Sequence, residues 1–178
     1  VLIFGGLFGF VFDFIETFNK AWTVKRLVLP WKILGVLPFD DVLGFFIMTL
    51  LIVLFYEHFI DDEKNKKISK NIIFALIPSI LATIAIVILF NINPEILTIS
   101  YVYLVGGIAA IIPLIIITIL KPKLFRKFFY IAVPFFFIWF LAEIIALKTG
   151  SWIFIGQYIG SIMVFGLTFP FEELFFWT

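Results

Sequence analysis

Two pairs of adjacent carboxylic acids are unusual in this sequence, because each pair lies inside a strongly apolar stretch. The first acid pair is Asp40 and Asp41 in "LPFDDVLGFF", and the second acid pair is Glu172 and Glu173 in "TFPFEELFFWT". A charged side chain at the centre of a bilayer costs about 3 kcal/mol or more, so acids in such surroundings usually serve a function. Two neighbouring carboxyl groups in a dry site can act as general acid and general base, since desolvation and like-charge repulsion keep one of them protonated. The two pairs are therefore candidates for proton transfer.

A further acid precedes each pair at a similar position. Asp13 stands nine positions before Trp22, and Glu143 stands nine positions before Trp152. The Pro of each Pro-Phe-acid-acid phrase then follows its Trp by 16 positions in the first occurrence and by 18 in the second. This order predicts two internal repeats. Four helix starts separate them, an even number, so we expect parallel repeats whose acids lie at the same face of a membrane.

The composition places the chain in a membrane. Of its 178 residues 63% are hydrophobic and 26 are Phe, whereas soluble domains are about half apolar. The absence of Cys and the presence of one His, His58, exclude a disulfide framework and a two-histidine or thiolate metal site, so we expect no metal. No Gly-x-Gly-x-x-Gly phrase occurs, which argues against a dinucleotide-binding site. A net charge of +1, with 13 Lys and Arg in short clusters, argues against a nucleic-acid partner.

The apolar runs are long enough to be membrane spans. A bilayer core of about 30 Å needs about 20 apolar residues per helix, and runs of that kind occupy residues 2–19, 38–59, 71–91, 98–120 and 128–147. The polar segment 61–70 is predicted to be a solvated loop. Glycines interrupt residues 148–169, which predicts an interfacial or re-entrant stretch, and a last helix is expected to begin at Pro170. No long window alternates with period two, so we expect an all-helical chain.

The fold predicted from these features is an all-α, polytopic transmembrane helical bundle with two parallel internal repeats, located in the cell membrane. Residues 1–60 form the first repeat, residues 61–97 the polar loop and a linking transmembrane helix, and residues 98–178 the second repeat. The sequence begins and ends in apolar runs, without an initiator Met or a signal-peptide pattern. We therefore expect both ends to be cut, so that the first repeat lacks its first helix and the last helix is incomplete.

The second occurrence resembles the signature of the lycopene cyclase domain family, the integral-membrane type found as heterodimers or fused repeats in bacteria, archaea and fungi. The resemblance lies in "AEIIALKTGSWIF" followed by "FPFEELFFW". The matching residues are Ala146, Gly150, Trp152, Phe154, Pro170, Glu172 and Glu173. The first occurrence is more loosely similar to that signature, through Asp13, Trp22, Pro38, Asp40 and Asp41. Asp replaces Glu in its acid pair, and Glu143 stands where the family usually has Asp.

The resemblance implies a cyclase that closes the acyclic end groups of a hydrophobic polyene such as lycopene, without metal or cofactor. A proton adds to the terminal double bond, a nearby double bond attacks the resulting tertiary cation, and a proton leaves. The implied catalytic carboxyls are Glu172, Glu173 and Glu143, with Asp40, Asp41 and Asp13 as a second set. Aromatic faces can shield the cation, and the implied substrate-binding residues are Trp152, Phe171, Phe175, Phe176, Trp177 and Trp22. The implied partners besides the polyene are the lipid bilayer and a second subunit, identical or different.

Other interpretations of these residues remain open. Acids just after Pro at a helix start also complement the helix dipole, and the Trp residues suit interfacial anchors. Buried acids in repeated units are typical of proton-coupled transporters as well. The helix centres at 75–90 and 101–119 carry no charged residue, which favours a hydrocarbon pocket at one face over a transmembrane relay. A membrane partner subunit without activity of its own is a third hypothesis.

Overall fold

The computed structural model describes residues 2–61 and 72–177, and this part of the chain is mostly helical. The helices are α1 (Leu2–Phe18), α2 (Phe39–Phe55), α3 (Ile72–Ile92), α4 (Val102–Leu120), α5 (Pro122–Thr149) and α6 (Glu173–Trp177). A π-helical turn (Tyr56–Ile60) continues α2, and a 3₁₀ turn (Pro94–Leu97) follows α3. The short strands are β1 (Trp22–Val24), β2 (Lys32–Ile33), β3 (Leu37–Pro38), β4 (Trp152–Phe154), β5 (Ser161–Val164) and β6 (Leu167–Pro170).

Within the described residues, four helical segments are long and apolar enough to cross a membrane. They are Phe39–Ile60, Ile72–Ile92, Val102–Leu120 and Phe125–Thr149. Many large apolar side chains on these segments are exposed, as expected for helices that face lipid tails. The segments indicate a membrane protein, as the composition predicts. The 17 residues of α1 rise only about 25 Å, which is less than the hydrocarbon core of about 30 Å.

The prediction of an all-helical chain is wrong in the connections between helices. Three two-stranded antiparallel sheets pair β1 with β4, β2 with β3, and β5 with β6. The stretch 148–169, predicted to be interfacial or re-entrant, contains β4, β5 and most of β6. Strands of two to four residues are too short to leave an alternating pattern in the sequence, but their ladders satisfy backbone polar groups where the chain leaves a helix.

Several helix boundaries differ from the predicted ones. The helix α5 begins at Pro122 rather than near 128, because a proline without N–H is well suited to the first helical turn. It ends at Gly150, whose φ of 65° is the left-handed conformation that closes many helices. The last helix begins at Glu173 and not at Pro170, which belongs to β6.

The chain forms two compact units. Unit 1 comprises residues 1–19 and 28–99, and unit 2 comprises residues 20–27 and 100–178. The predicted linking helix α3 therefore belongs to unit 1, where it packs on α1, and the strand β1 belongs to unit 2. Most of the predicted polar loop 61–70 lies outside the described residues. Asp61 alone is described there, and it is buried at the end of the π-helical turn rather than solvated.

Glycines allow α1 to approach α2 closely in unit 1. Gly5 and Gly9 are four residues apart, the spacing of small residues at close helix contacts in membranes. A Cβ atom at Gly5 would overlap the side chain of Thr49, and one at Gly9 would overlap the ring of Phe45. The interface between α1 and α2 therefore requires the absence of side chains at these positions.

Asn19 joins the end of α1 to the segment that follows the 3₁₀ turn. Its Nδ2 donates to the carbonyl oxygens of Ile15 (2.8 Å) and Leu97 (2.9 Å), and its Oδ1 accepts from the backbone N–H of Ile99 (2.7 Å). These bonds hold the C-terminal end of α1 against the segment that follows α3 in unit 1.

Replacing Asn19 by leucine is expected to lower the free energy of unfolding by about 3 kcal/mol, because three hydrogen bonds of about 1 kcal/mol each are lost. Asn91→Leu is the matched control, since Asn91 is exposed and its Nδ2 donates locally to Val87 O. The free energy of unfolding of each variant is measured by denaturation of the purified protein in detergent. Equal unfolding free energies for the two variants would contradict the role of Asn19.

Candidate functional site

The three acids assigned to the second repeat are all buried in unit 2. Glu143 lies on α5, Glu172 directly precedes α6, and Glu173 is the first residue of α6. Their exposed fractions are 2%, 0% and 2%, respectively. The helices α4, α5 and α6 pack against one another in this unit. Acids that are removed from solvent in this way meet the first condition for proton transfer in a dry site.

Glu172 is bonded to the connecting segment between β4 and β5. Its Oε1 accepts a hydrogen bond from the backbone N–H of Ile159 at 2.7 Å. Its Oε2 is also buried and, within the described part of the chain, has no hydrogen-bond partner. The carboxyl therefore links the start of α6 to the segment that precedes the β5–β6 hairpin.

Glu173 accepts a hydrogen bond from a residue that sequence reasoning missed. The hydroxyl of Tyr103, in the first turn of α4, donates a hydrogen bond to Glu173 Oε1, and both side chains are buried. The two residues are 70 positions apart. A single phenol at the edge of an apolar run carries no distinctive pattern, so only the tertiary contact reveals Tyr103.

Aromatic rings surround Tyr103. Its ring stacks on Phe176 with a centroid distance of 4.6 Å, contacts Tyr158 edge-on at 5.9 Å, and lies 6.0 Å from Phe154. We call Tyr103, Phe154, Tyr158 and Phe176 the aromatic cluster. Ring faces attract a cation through their quadrupole without bonding to it. The cluster therefore offers cation stabilisation next to the carboxyl of Glu173.

The other predicted substrate-binding residues have different surroundings. Phe175 packs on α4: a Cβ atom added to Gly107 would lie 3.0 Å from the Cβ atom of Phe175. Phe171 is 43% exposed, and its backbone N–H donates to Gly160 O. The side chain of Trp177 lies outside the described part of the structure. Of the predicted rings on and before α6, Phe176 alone has a described contact with the aromatic cluster.

Trp22 and Trp152 meet on the β1–β4 ladder. Trp22 is the first residue of β1 and pairs with Phe154, and Trp152 is the first residue of β4 and pairs with Val24. The two indole rings lie 6.2 Å apart. Trp152 Nε1 is buried without a hydrogen-bond partner among the described residues. The sequence predicts equivalent positions for these two residues, and the ladder brings them into contact.

A cavity of about 330 Å³ adjoins the aromatic cluster. Phe154 and Tyr158 form part of its wall, together with Leu147 at the end of α5 and Phe169 of β6. No carboxyl group is part of this wall, although Leu147 lies one helical turn after Glu143. The volume is at the lower end of the range for small-molecule pockets. It could hold the end of a hydrocarbon chain but not the whole of a long one.

The first acid pair lies in unit 1, where its two members differ. Asp40 accepts hydrogen bonds from the backbone N–H groups of Val28 (2.7 Å) and Leu29 (3.2 Å). Asp41 has a buried Oδ2 with no hydrogen-bond partner among residues 2–61 and 72–177. Asp13 on α1 is buried and lies within electrostatic reach of Asp41. The structure therefore brings together two of the three acids assigned to the first repeat.

Glu16 belongs to the same acidic group, although sequence reasoning did not select it. It is buried in α1 and lies within electrostatic reach of Asp13. Its spacing from Asp13 could have indicated it, because residues three positions apart on a helix share a face. In the described part of the chain, no three acidic or histidine side chains are arranged to hold a metal ion.

Comparisons with protein-family models, with curated proteins and with solved structures give no match for this chain. The relation to the lycopene cyclase domain family is therefore a resemblance of motifs. The buried acids, the rings around them and the membrane segments are the features that bear on its function.

Proposed function

We propose that this protein is an intramembrane carotenoid cyclase that closes the acyclic end groups of lycopene or a related polyene. One observation carries the proposal: Glu143, Glu172 and Glu173 are buried in the same helical unit as a cluster of aromatic rings. Their motif resembles the one that carries catalytic acids in the cyclase family. A pure hydrocarbon substrate resides in the bilayer, where the four apolar segments would place this protein.

The chemistry proposed for these acids is an isomerisation in which one proton enters and one leaves. A protonated carboxyl gives its proton to the terminal double bond, which leaves a tertiary cation. The electrons of a nearby double bond attack the cation and close the ring, which leaves a new cation on a ring carbon. An ionised carboxyl then removes a proton from a carbon next to that cation and so forms the ring double bond. The formula of the substrate is unchanged, so no oxidant and no cofactor are needed.

The aromatic cluster suits the intermediate of this reaction. The faces of Tyr103 and Phe176 can stabilise a cation without trapping it as a covalent product. The wall of the neighbouring cavity is mostly apolar, with Leu147, Phe154 and Phe169 among its residues, which suits the end of a hydrocarbon chain. A site of this composition supports carbocation chemistry better than the transfer of a hydrophilic solute.

Two features support the further proposal of a polytopic bundle with two parallel repeats in the cell membrane, alone or with a second subunit. The β1–β4 ladder pairs two strands that begin at Trp22 and Trp152, the residues that the sequence predicts to be equivalent. The hairpins β2–β3 and β5–β6, which end at Pro38 and Pro170, also have similar turns. Leu34 and Gly35 in one, and Phe165 and Gly166 in the other, have positive φ angles.

A second candidate function is proton-coupled transport. The observation that favours it is the acidic group of unit 1, where Asp13, Glu16 and Asp41 interact within apolar surroundings. Such groups bind and release protons in membrane transporters. The hydrocarbon cyclase remains the better-supported proposal, because the aromatic cluster beside Glu173 has no evident use in proton transport. A partner subunit without activity is the remaining alternative.

Chromatography of carotenoids from lycopene-accumulating cells tests the proposal. Cells that express the full-length wild-type protein are expected to form ringed carotenes, whereas the double variant Glu172→Gln, Glu173→Gln is expected to lose at least about 100-fold in conversion. Glu95→Gln, at an exposed acid, is the control and should convert normally. Unchanged lycopene in cells with well-expressed wild-type protein would remove the cyclase proposal and leave transport or a partner role.

A further inference from the structure

We infer that the two acids of each pair have different roles: the first holds the preceding connecting segment, and the second faces the helices as the reactive group, positioned in unit 2 by Tyr103. The role of the first acid follows from hydrogen bonds alone. The role of the second rests on the proposed function. One member of each pair then carries the acid–base task, and Tyr103 is a positioning residue that the sequence did not indicate.

The first acid of each pair makes the same kind of bond in both units. Asp40 accepts from the backbone N–H groups of Val28 and Leu29, which lie 12 and 11 positions before it. Glu172 accepts from the backbone N–H of Ile159, 13 positions before it. In both cases the donor precedes a two-stranded hairpin, and the acid follows that hairpin. A carboxyl oxygen accepts hydrogen bonds from backbone N–H groups, so this bond closes the connecting segment onto the helix start.

The second acid points elsewhere, because successive residues at a helix start differ in direction by about 100°. In unit 1 the second acid, Asp41, lies within electrostatic reach of Asp13 on α1. In unit 2 the second acid, Glu173, is bonded to Tyr103 on α4. The second acid is thus turned towards a neighbouring helix in each unit, whereas the first is turned towards the connecting segment.

Tyr103 fixes the orientation of the Glu173 carboxyl. Its hydroxyl donates a hydrogen bond to Glu173 Oε1, and its ring contacts the rings of Phe176, Tyr158 and Phe154. Phe154 and Tyr158 also line the cavity of about 330 Å³, so Tyr103 contacts two residues of the cavity wall as well as the acid. Loss of the hydroxyl would leave the ring contacts in place and release the carboxyl from one orientation. Tyr103 is therefore a positioning residue.

The experiment compares single variants of the full-length protein in membranes supplied with lycopene. Glu173→Gln is expected to lose at least about 100-fold in kcat, because a proton donor or acceptor is removed. Tyr103→Phe is expected to lower kcat about tenfold with KM unchanged, because orientation affects only the reacting state. Tyr101→Phe is the matched control, since Tyr101 is a phenol two residues away that is 46% exposed, and it should match wild type.

The role of the first acid is measured by thermal unfolding in detergent, which does not depend on any reaction. Asp40→Ala and Glu172→Ala are each expected to lower the Tm by several degrees, whereas Glu95→Ala at an exposed acid should not. Glu172→Gln retains an amide oxygen that can accept from Ile159 N–H, so it should retain more Tm than Glu172→Ala and lose less activity than Glu173→Gln.

The outcomes separate this inference from the proposed function. Wild-type kcat in Tyr103→Phe would overturn the positioning role, and equal activity losses in Glu172→Gln and Glu173→Gln at unchanged Tm would overturn the different roles of the two acids. Failure of the wild-type protein to convert lycopene would remove the proposed function. The Tm measurements would then still decide the first-acid role, and an unchanged Tm in Asp40→Ala and Glu172→Ala would overturn it.

Discussion

Replacement of Glu143 by glutamine is expected to lower the rate of polyene cyclisation by about 100-fold or more, the contribution typical of a positioned general acid or base. Glu143 is buried on α5, in the unit that holds Glu172 and Glu173. Glutamine keeps the size and the hydrogen-bonding capacity of the side chain but cannot give up a proton as a carboxyl does. The loss should therefore appear in the rate and not in the amount of folded protein.

Glu143→Asp is the matched control, because it retains a carboxyl and because the resembling family usually has Asp at this position. We expect it to keep most of the wild-type rate. Carotenoid chromatography, normalised to the protein present in the membrane, measures both variants. A Glu143→Gln protein that is as active as wild type would show that this acid has a purely structural role.

Replacement of Gly9 by leucine is expected to lower the free energy of unfolding by about 3 kcal/mol or reduce the folded protein in the membrane below detection, the upper range for overpacking a filled interface. Gly9 is buried in α1, and a Cβ atom there would overlap the ring of Phe45 on α2. Phe45 belongs to a helix that packs along α1, so the clash cannot be relieved by one rotamer change. Separation of α1 from α2 would also disturb Asp13 and Asp41, which interact across this interface.

Gly44→Leu provides a stringent control for the same chemical change. Gly44 lies in α2, and a Cβ atom there would meet nothing within 4 Å. Leucine is a better helix former than glycine by about 0.8 kcal/mol, so this variant should be as stable as wild type or slightly more stable. Unfolding in detergent compares the two variants. If both glycine substitutions had the same effect, the close approach of α1 and α2 would not be the cause.

The spans were predictable because length and polarity alone decide them. A run of about 20 apolar residues has the length and polarity of a helix that crosses a bilayer, and the observed α2, α3, α4 and α5 lie close to the predicted runs. The acids were predictable for the same reason, since Glu143, Glu172 and Glu173 are conspicuous in apolar stretches. Glu16 could have been found by helical spacing from Asp13. Resemblance of motifs supplied the hypothesis of a reaction, which the sequence by itself does not contain.

The amino-acid sequence by itself thus determined a membrane protein, its helical segments and the acids available for chemistry, because those properties depend on residues close together in the chain. Tertiary structure decided which atoms meet. The Tyr103–Glu173 bond joins residues 70 positions apart, and the bond from Tyr158 to Ala21 spans 137. The β1–β4 ladder likewise pairs strands of three residues from distant segments. Contacts of this kind depend on how helices pack, and neither spacing nor composition encodes that packing in a form that can be recognised locally.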